Sequence, residues 1–245
     1  MTPLAALLQL PLLSLCTAAT ADRPPPWEHR GITFTGGRYC PGVVLGSRAA
    51  NASLDHLATT GANWVAIVVT NYQVSINTTE IFPLFNASTW PHNYYTYVTV
   101  TDAELELAVQ RAKQRGLKVM LKPHVDPLTD NAPIGKTWRG DIGQFFAPRQ
   151  WDAWFESYGT MLLHYASMGE RLGVEMLSMN CELIAANNQT ARWRELVSRT
   201  RKVFSGRLTT APNGHGHEYW VDWFDVLDII GVDFCTSCTF ALSVC

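Results

Sequence analysis

Six short runs rich in β-branched residues, separated by longer stretches of helical period, constrain this chain more than any other feature. They occupy residues 31–35, 63–69, 117–122, 174–179, 208–211 and 229–234. Each is apolar on both faces, as strands of a buried parallel sheet are, because helices cover one side and the sheet's own interior the other. Between them the period changes to that of helices. Thr101 caps a helix over 102–115, with Glu104 reaching back and Leu105, Ala108, Val109 and Ala112 on one stripe; Gly116 ends it. A longer helix covers 150–171 and buries Trp154, Phe155, Tyr158, Met161, Leu162 and Tyr165. A third covers 191–204, with Trp193, Leu196, Val197 and Val203 facing inward and Gly206 beyond its end. At helical spacing these aromatics read as core.

Alternating strands and crossover helices make an α/β protein with a parallel sheet, and two arrangements compete: the open doubly wound sheet and the (β/α) barrel. Gly36-Gly37-Arg38-Tyr39 lacks the glycine spacing of a dinucleotide fold, which favours the barrel. Composition agrees with a globular domain. The chain has 245 residues, 47% hydrophobic and 16% charged, with net charge −2, which excludes a disordered chain and a basic nucleic-acid binder.

In a barrel, chemistry gathers beyond the C-terminal ends of the strands. Those positions here carry Asn71 and Tyr72, then Lys122, His124 and Asp126, then Asn180 and Glu182, then Asn213, then Asp233. Strand alternation puts Met176, Ser178, Asn180 and Glu182 on one face, with Glu182 at the mouth. A carboxyl held at an apolar strand end keeps its proton and can act as a general acid; the alternative is an ordinary exposed glutamate opening a loop. Trp138-Arg139-Gly140-Asp141 lies beyond the third strand. An indole face beside His, Asp and Asn suits a sugar ring, whose C–H face stacks while its hydroxyls are held. The alternatives are that Lys122 pairs with a barrel carboxylate and that Arg139 staples its loop to Asp141. His215-Gly216-His217 cannot share a helix face as zinc-binding histidines do, and no G-x-S-x-G elbow occurs. No metal site and no cofactor are expected.

Taken together, Leu121-Lys-Pro-His124-Val-Asp126, Trp138-Arg-Gly-Asp141-Ile, Met179-Asn-Cys-Glu182-Leu and Ile229-Ile-Gly-Val-Asp233-Phe resemble glycoside hydrolase family 113, the β-mannanase-like enzymes of clan A. The resemblance spans about residues 30–234. It implies a (β/α)8 barrel and a retaining mechanism in which two glutamates act on β-1,4-linked mannose polymers, with Glu182 matching the acid/base. Lys122, His124, Trp138 and Arg139 match positions lining the cleft, and Asp126, Asn180, Asn213 and Asp233 join them as substrate-binding candidates. The family's nucleophilic glutamate stands at the end of a seventh strand. Glu195 and Glu218 do not match that position, and Asp233 is on the wrong strand. The expectation is therefore a barrel truncated to about six βα units, over residues 22–234, with the nucleophile missing. The units take roughly forty residues each, and two more would need on the order of eighty. A non-catalytic glycan-binding protein is the second reading, and a truncated chain that does not fold stably the third.

The two ends carry further expectations. Residues 4–19 are apolar but too short to span a bilayer, and Ala19-Thr20-Ala21 is a signal-peptidase pattern, so 1–21 reads as a signal peptide; an anchored N-terminus is the alternative. Asn51, Asn77, Asn86 and Asn188 open N-glycosylation sequons, consistent with a secreted glycoprotein free of the membrane after cleavage. Loss of Cys16 leaves Cys40, Cys181, Cys235, Cys238 and Cys245, an odd number for an oxidising compartment. Residues 235–245 form an atypical Cys-containing tail. The expected partner is a polysaccharide or oligosaccharide substrate, and no nucleic acid.

Overall fold

The structure, a computed structural model, describes residues 29–35, 44–86, 98–129 and 138–234. The proposed signal peptide and Cys16, Cys40, Cys235, Cys238 and Cys245 lie outside the described residues. Five of the six runs become strands: β1 (Gly31–Phe34), β2 (Trp64–Gln73), β3 (Lys118–Pro127), β4 (Met176–Cys181) and β5 (Arg207–Ala211). All pair in parallel in the order β1-β2-β3-β4-β5. That order separates the two candidate architectures. A doubly wound sheet reverses strand order at its switch point, whereas a barrel adds each strand beside the last. The chain folds as a partial (β/α) barrel.

Period-two alternation sorts the side chains. Val65, Ile67 and Val69 of β2, Val119, Leu121 and Val125 of β3, and Leu177 and Met179 of β4 join one core with the helices. The opposite face looks into the barrel interior, where Gly31, Ala66, Met120, Met176, Thr209, Lys122 and Asp233 bound a cavity of about 290 Å3.

The helices are α1 (Arg48–Thr59), α2 (Asp102–Gln114), α3 (Pro148–Leu172) and α4 (Thr190–Arg201). The α2 capping box forms as expected: Thr101 N–H donates to Glu104 Oε2 at 2.9 Å, and Glu104 N–H to Thr101 Oγ1 at 3.3 Å. Gly116 follows with φ +74°. Pro148 opens α3, and Gly173, at φ 63° where a side chain would be strained, closes it. The tryptophans form an aromatic spine between α3, α4 and the following loops. Trp154 stacks on Tyr158 at 4.7 Å, Phe155 meets Trp193 edge-on at 4.9 Å, and Trp193 stacks on Trp223 at 4.9 Å.

Three expectations are corrected. The run at 229–234 makes no strand; its pairing is a single parallel bridge between Asn213 and Asp233, and Ile230 is 66% exposed. Val203 lies past the end of α4 and is exposed, while Phe204 takes the core position. The third concerns β4, whose register against β5 slips between Ser178 and Cys181. A bulge of this kind inserts a residue and shifts the alternation by one. Cys181 therefore faces the charged groups of the interior, and Asn180 turns to the neighbouring strand.

Candidate active site

The bulge is held by Asn180, fully buried, whose side-chain oxygen accepts from the Thr210 hydroxyl and, at 3.4 Å, from the Ala211 N–H. Its amide donates to Asn187 Oδ1 at 3.4 Å. Asn180 is thus a strut between β4, β5 and the next loop rather than a group lining the cleft. The chain then turns sharply. Glu182 has φ +56°, a left-handed conformation that costs a non-glycine residue on the order of 1–2 kcal/mol, and its N–H is tied to Ala211 O at 2.8 Å. That turn brings the Glu182 carboxyl back over the strand ends. Asn213 donates an amide N–H to Oε1 at 3.4 Å, and Arg139 Nη1 stands 3.8 Å from Oε2.

Arg139 is the hub beneath it. It grips Asp126 with both Nε (2.9 Å) and Nη2 (3.2 Å), a bidentate pair whose side chains are 7% and 4% exposed. Its Nη1 donates to His124 Nδ1 at 2.6 Å and to Cys181 Sγ at 3.3 Å. A guanidinium only donates, so Nδ1 is the acceptor and the proton of a neutral His124 sits on Nε2. The partner of Arg139 is thus Asp126; Asp141 instead accepts from the Trp138 backbone N–H at 3.1 Å.

A second ion pair crosses the interior. Lys122 Nζ donates to both oxygens of Asp233, at 2.8 and 2.7 Å, which is the barrel pairing weighed from the sequence. Asp233 is placed by backbone bonds on both sides, its N–H to Pro212 O and Gly214 N–H to its own O, each 2.8 Å. The Cys181 thiol, 3.5 Å from Asp233 Oδ2, links the two pairs.

The charges set the protonation states. Burial pushes the Glu182 carboxyl up from its ordinary value of 4.5; Arg139 pulls against it, and the Asp233 charge pushes the same way as burial. Burial lowers Lys122, but the acidic groups around it, Cys181, Asp233 and Glu182, outweigh that and raise it, so the ammonium is kept. Cys181 is pushed up to about 12, chiefly by burial, and is a thiol rather than a nucleophilic thiolate. Cys181, Glu182 and Asp233 offer three ligand atoms within 4.8 Å of one another. They suit a cation poorly, since Lys122 already occupies both Asp233 oxygens and Arg139 faces the sulfur.

Lys122, His124, Asp126, Arg139, Glu182, Asn213 and Asp233 are thus joined in one network. Trp138, next to Arg139 in sequence, is 38% exposed, with its indole over Gly140, where an added Cβ would lie 2.5 Å from the ring. Asn71 points the other way and donates to Tyr165 OH on α3 at 2.9 Å. Tyr72 packs with Leu84 and Leu128. The places of Cys181 and Thr210 in the site depend on the bulge, which no local sequence pattern reveals. Among the sequon asparagines, Asn77, Asn86 and Asn188 are exposed, and Asn51 is half-buried on α1.

Known proteins are similar to this chain in sequence and fold. The model of glycoside hydrolase family 113 matches residues 40–239. A solved complex of a β-1,4-mannanase of that family is similar at 30% identity and TM-score 0.67, covering 83% of this chain and 61% of its own. The family 113 β-mannanase of Alicyclobacillus acidocaldarius in complex with ManMIm is similar at 32% identity and TM-score 0.68, with 83% and 60% covered. A β-glucuronidase from Ruminococcus gnavus, at 13% identity and TM-score 0.50, covers 83% of this chain and 28% of its own and shares the fold alone. This chain spans about three-fifths of the length of the two mannanase chains. Curated proteins offer no sequence match.

Proposed function

Because this chain belongs to glycoside hydrolase family 113, we propose that it is a secreted, retaining hydrolase of β-1,4-linked mannan or a related β-glycan. The observation that carries this reading is Glu182: a carboxyl at the end of β4, swung into the cleft by a left-handed turn and biased toward its protonated form by burial. A group that holds its proton beside a glycosidic oxygen can donate it as the bond breaks, then take one from water in a second step. Trp138 offers the sugar a stacking face, and His124 and Asn213 offer polar edges. These are the parts of a saccharide site, and mannanases of known structure support mannose as the sugar.

The family's nucleophilic glutamate is read as lying outside this chain, which makes a glycan-binding form the second reading. Mannotetraose and β-mannan separate the two. Release of shorter oligosaccharides, lost in Glu182→Gln, supports the hydrolase; binding by calorimetry without release supports the binding form; neither binding nor release from folded protein overturns both. Secretion is tested on material from the culture medium, where peptide N-glycosidase sharpens and lowers the band if Asn77, Asn86 or Asn188 is glycosylated. An unchanged band, or protein retained in the cell, counts against it.

A further inference from the structure

We propose that Cys181 is a positioning residue for Glu182: its sulfur takes the Arg139 N–H that would otherwise turn to the Glu182 carboxyl, and so keeps the acid from pairing with the guanidinium. The inference rests on the glycosidase reading above and adds the group that holds its acid in the working form. Each terminal nitrogen of a guanidinium bears two hydrogens. Arg139 Nη1 sends one to His124 Nδ1 at 2.6 Å and the other to Cys181 Sγ at 3.3 Å. Nε and Nη2 are turned to Asp126, at 2.9 and 3.2 Å. Glu182 Oε2, although 3.8 Å from Nη1, therefore feels the charge of the guanidinium without a hydrogen bond from that nitrogen. Its other oxygen accepts a long bond of 3.4 Å from Asn213.

The register slip between Ser178 and Cys181 is what brings the sulfur here. Cys181 is 2% exposed, and its Sγ, a Glu182 oxygen and an Asp233 oxygen all lie within 4.8 Å of one another. Because a guanidinium only donates, the sulfur lone pairs face Arg139 and the S–H points to Asp233 Oδ2 at 3.5 Å. The neutral thiol thus stands between two complete ion pairs, Arg139–Asp126 and Lys122–Asp233. The charged groups facing Glu182 are these same four: Lys122 and Asp126 from β3, Arg139 from the segment beyond it, and Asp233 from beyond β5, with neutral His124 on Arg139. They balance without Glu182. An ionised Glu182 would add a negative charge to a set already neutral, and a protonated one adds none.

Without the sulfur, the freed Nη1 hydrogen has the Glu182 carboxylate 3.8 Å away. A carboxylate that gains a direct bond from an arginine holds its proton less tightly. Glu182 would then meet a glycosidic oxygen already ionised, with no proton to give. Serine keeps an acceptor and a donor in this place, whereas valine and alanine keep neither.

The test is the titration of the Glu182 carboxyl carbon by NMR in the full chain, its signal assigned by its loss in Glu182→Gln. In Cys181→Val the midpoint is expected to fall, with the protonated fraction above the wild-type midpoint lower by roughly tenfold. Cys181→Ser is expected to titrate as the wild type does. Where the valine does not fold, Cys181→Ala removes the same sulfur without adding a methyl. In an Asp126→Leu, Arg139→Met background, which lacks the guanidinium, Cys181→Val is expected to leave the midpoint of that background unchanged. An unmoved midpoint in folded Cys181→Val and Cys181→Ala overturns the proposal. So does a serine variant that falls as far as valine, or a fall that persists without Arg139. Mannotetraose calorimetry on the same proteins keeps the two readings apart: wild-type protein that binds no manno-oligosaccharide overturns the glycosidase reading, while the titration, which needs no ligand, still decides the role of Cys181.

Discussion

The Asp126–Arg139 pair gives the sharpest energetic prediction. Asp126→Ala removes two hydrogen bonds, of 2.9 and 3.2 Å, from a guanidinium whose side chain is 7% exposed. The charge cannot leave, because an arginine does not deprotonate, and the strand ends around it leave little room for water. Breaking one partner of such a pair costs about 3–5 kcal/mol, most of it the penalty of a buried charge without its counter-ion. For a chain of this size, each 1 kcal/mol moves Tm by about 2–4 °C. Urea unfolding and thermal melts of Asp126→Ala should therefore show a loss of about 3–5 kcal/mol and a Tm lower by roughly 6–20 °C. Replacing both partners, as in Asp126→Leu with Arg139→Met, should recover most of that loss. A single-variant effect below about 1 kcal/mol, or a double variant that loses the sum of both singles, would refute the claim that Arg139 is a desolvated hub.

Three shorter predictions accompany it. Glu182 has a folded value above its ordinary 4.5, so its contribution to stability is present below 4.5 and is lost as pH rises through the folded value. Glu182→Gln should thus gain on the wild type in denaturant midpoint from pH 4 to pH 7; a gap that is flat or reversed contradicts this. Tyr158→Phe removes a fully buried bond of 2.9 Å to Met179 O and should cost about 1–3 kcal/mol in urea unfolding, with no loss if the bond is absent. Gly140→Ala places a Cβ 2.5 Å from the Trp138 indole, so the ring must shift. Mannotetraose binding should weaken by roughly tenfold, about 1.4 kcal/mol, at unchanged fold, and unaltered binding would remove Trp138 from the cleft.

Much of this was legible in the sequence because it is local. The Thr101–Glu104 capping box, the Gly116 stop and the buried stripe from Trp154 to Tyr165 each depend on residues within a few positions of one another. The partial barrel followed from apolar runs that five strands bear out. What escaped depends on partners far along the chain. β2 and β3 run on to Gln73 and Pro127, past the point where their pattern turns polar, because Lys122, His124 and Asp126 occupy the interior face while Val125 keeps the helix-facing core. The β4 bulge is created by Asn180 meeting Thr210 across the strand pair, and no period within β4 reveals it. It exchanges the roles of Asn180 and Cys181. Alternation along β4 is an incomplete reason for the direction of Glu182, since a backbone reversal at φ +56° aims it at the cleft. Arg139 has a nearer acid in sequence, Asp141, yet Asp126 at the end of β3 is the one that faces it.

The central claim is that Glu182 is a proton-holding acid poised between Arg139 and Asp233, and carbon-detected NMR of its side-chain carboxyl across a pH series measures this most directly. The expected midpoint lies above 4.5 in the wild type, lower in Asp233→Asn, where the neighbouring negative charge is gone, and higher in Arg139→Met, where the opposing positive charge is gone. A Glu182 carboxyl that titrates at or below 4.5 and does not respond to either substitution would contradict it.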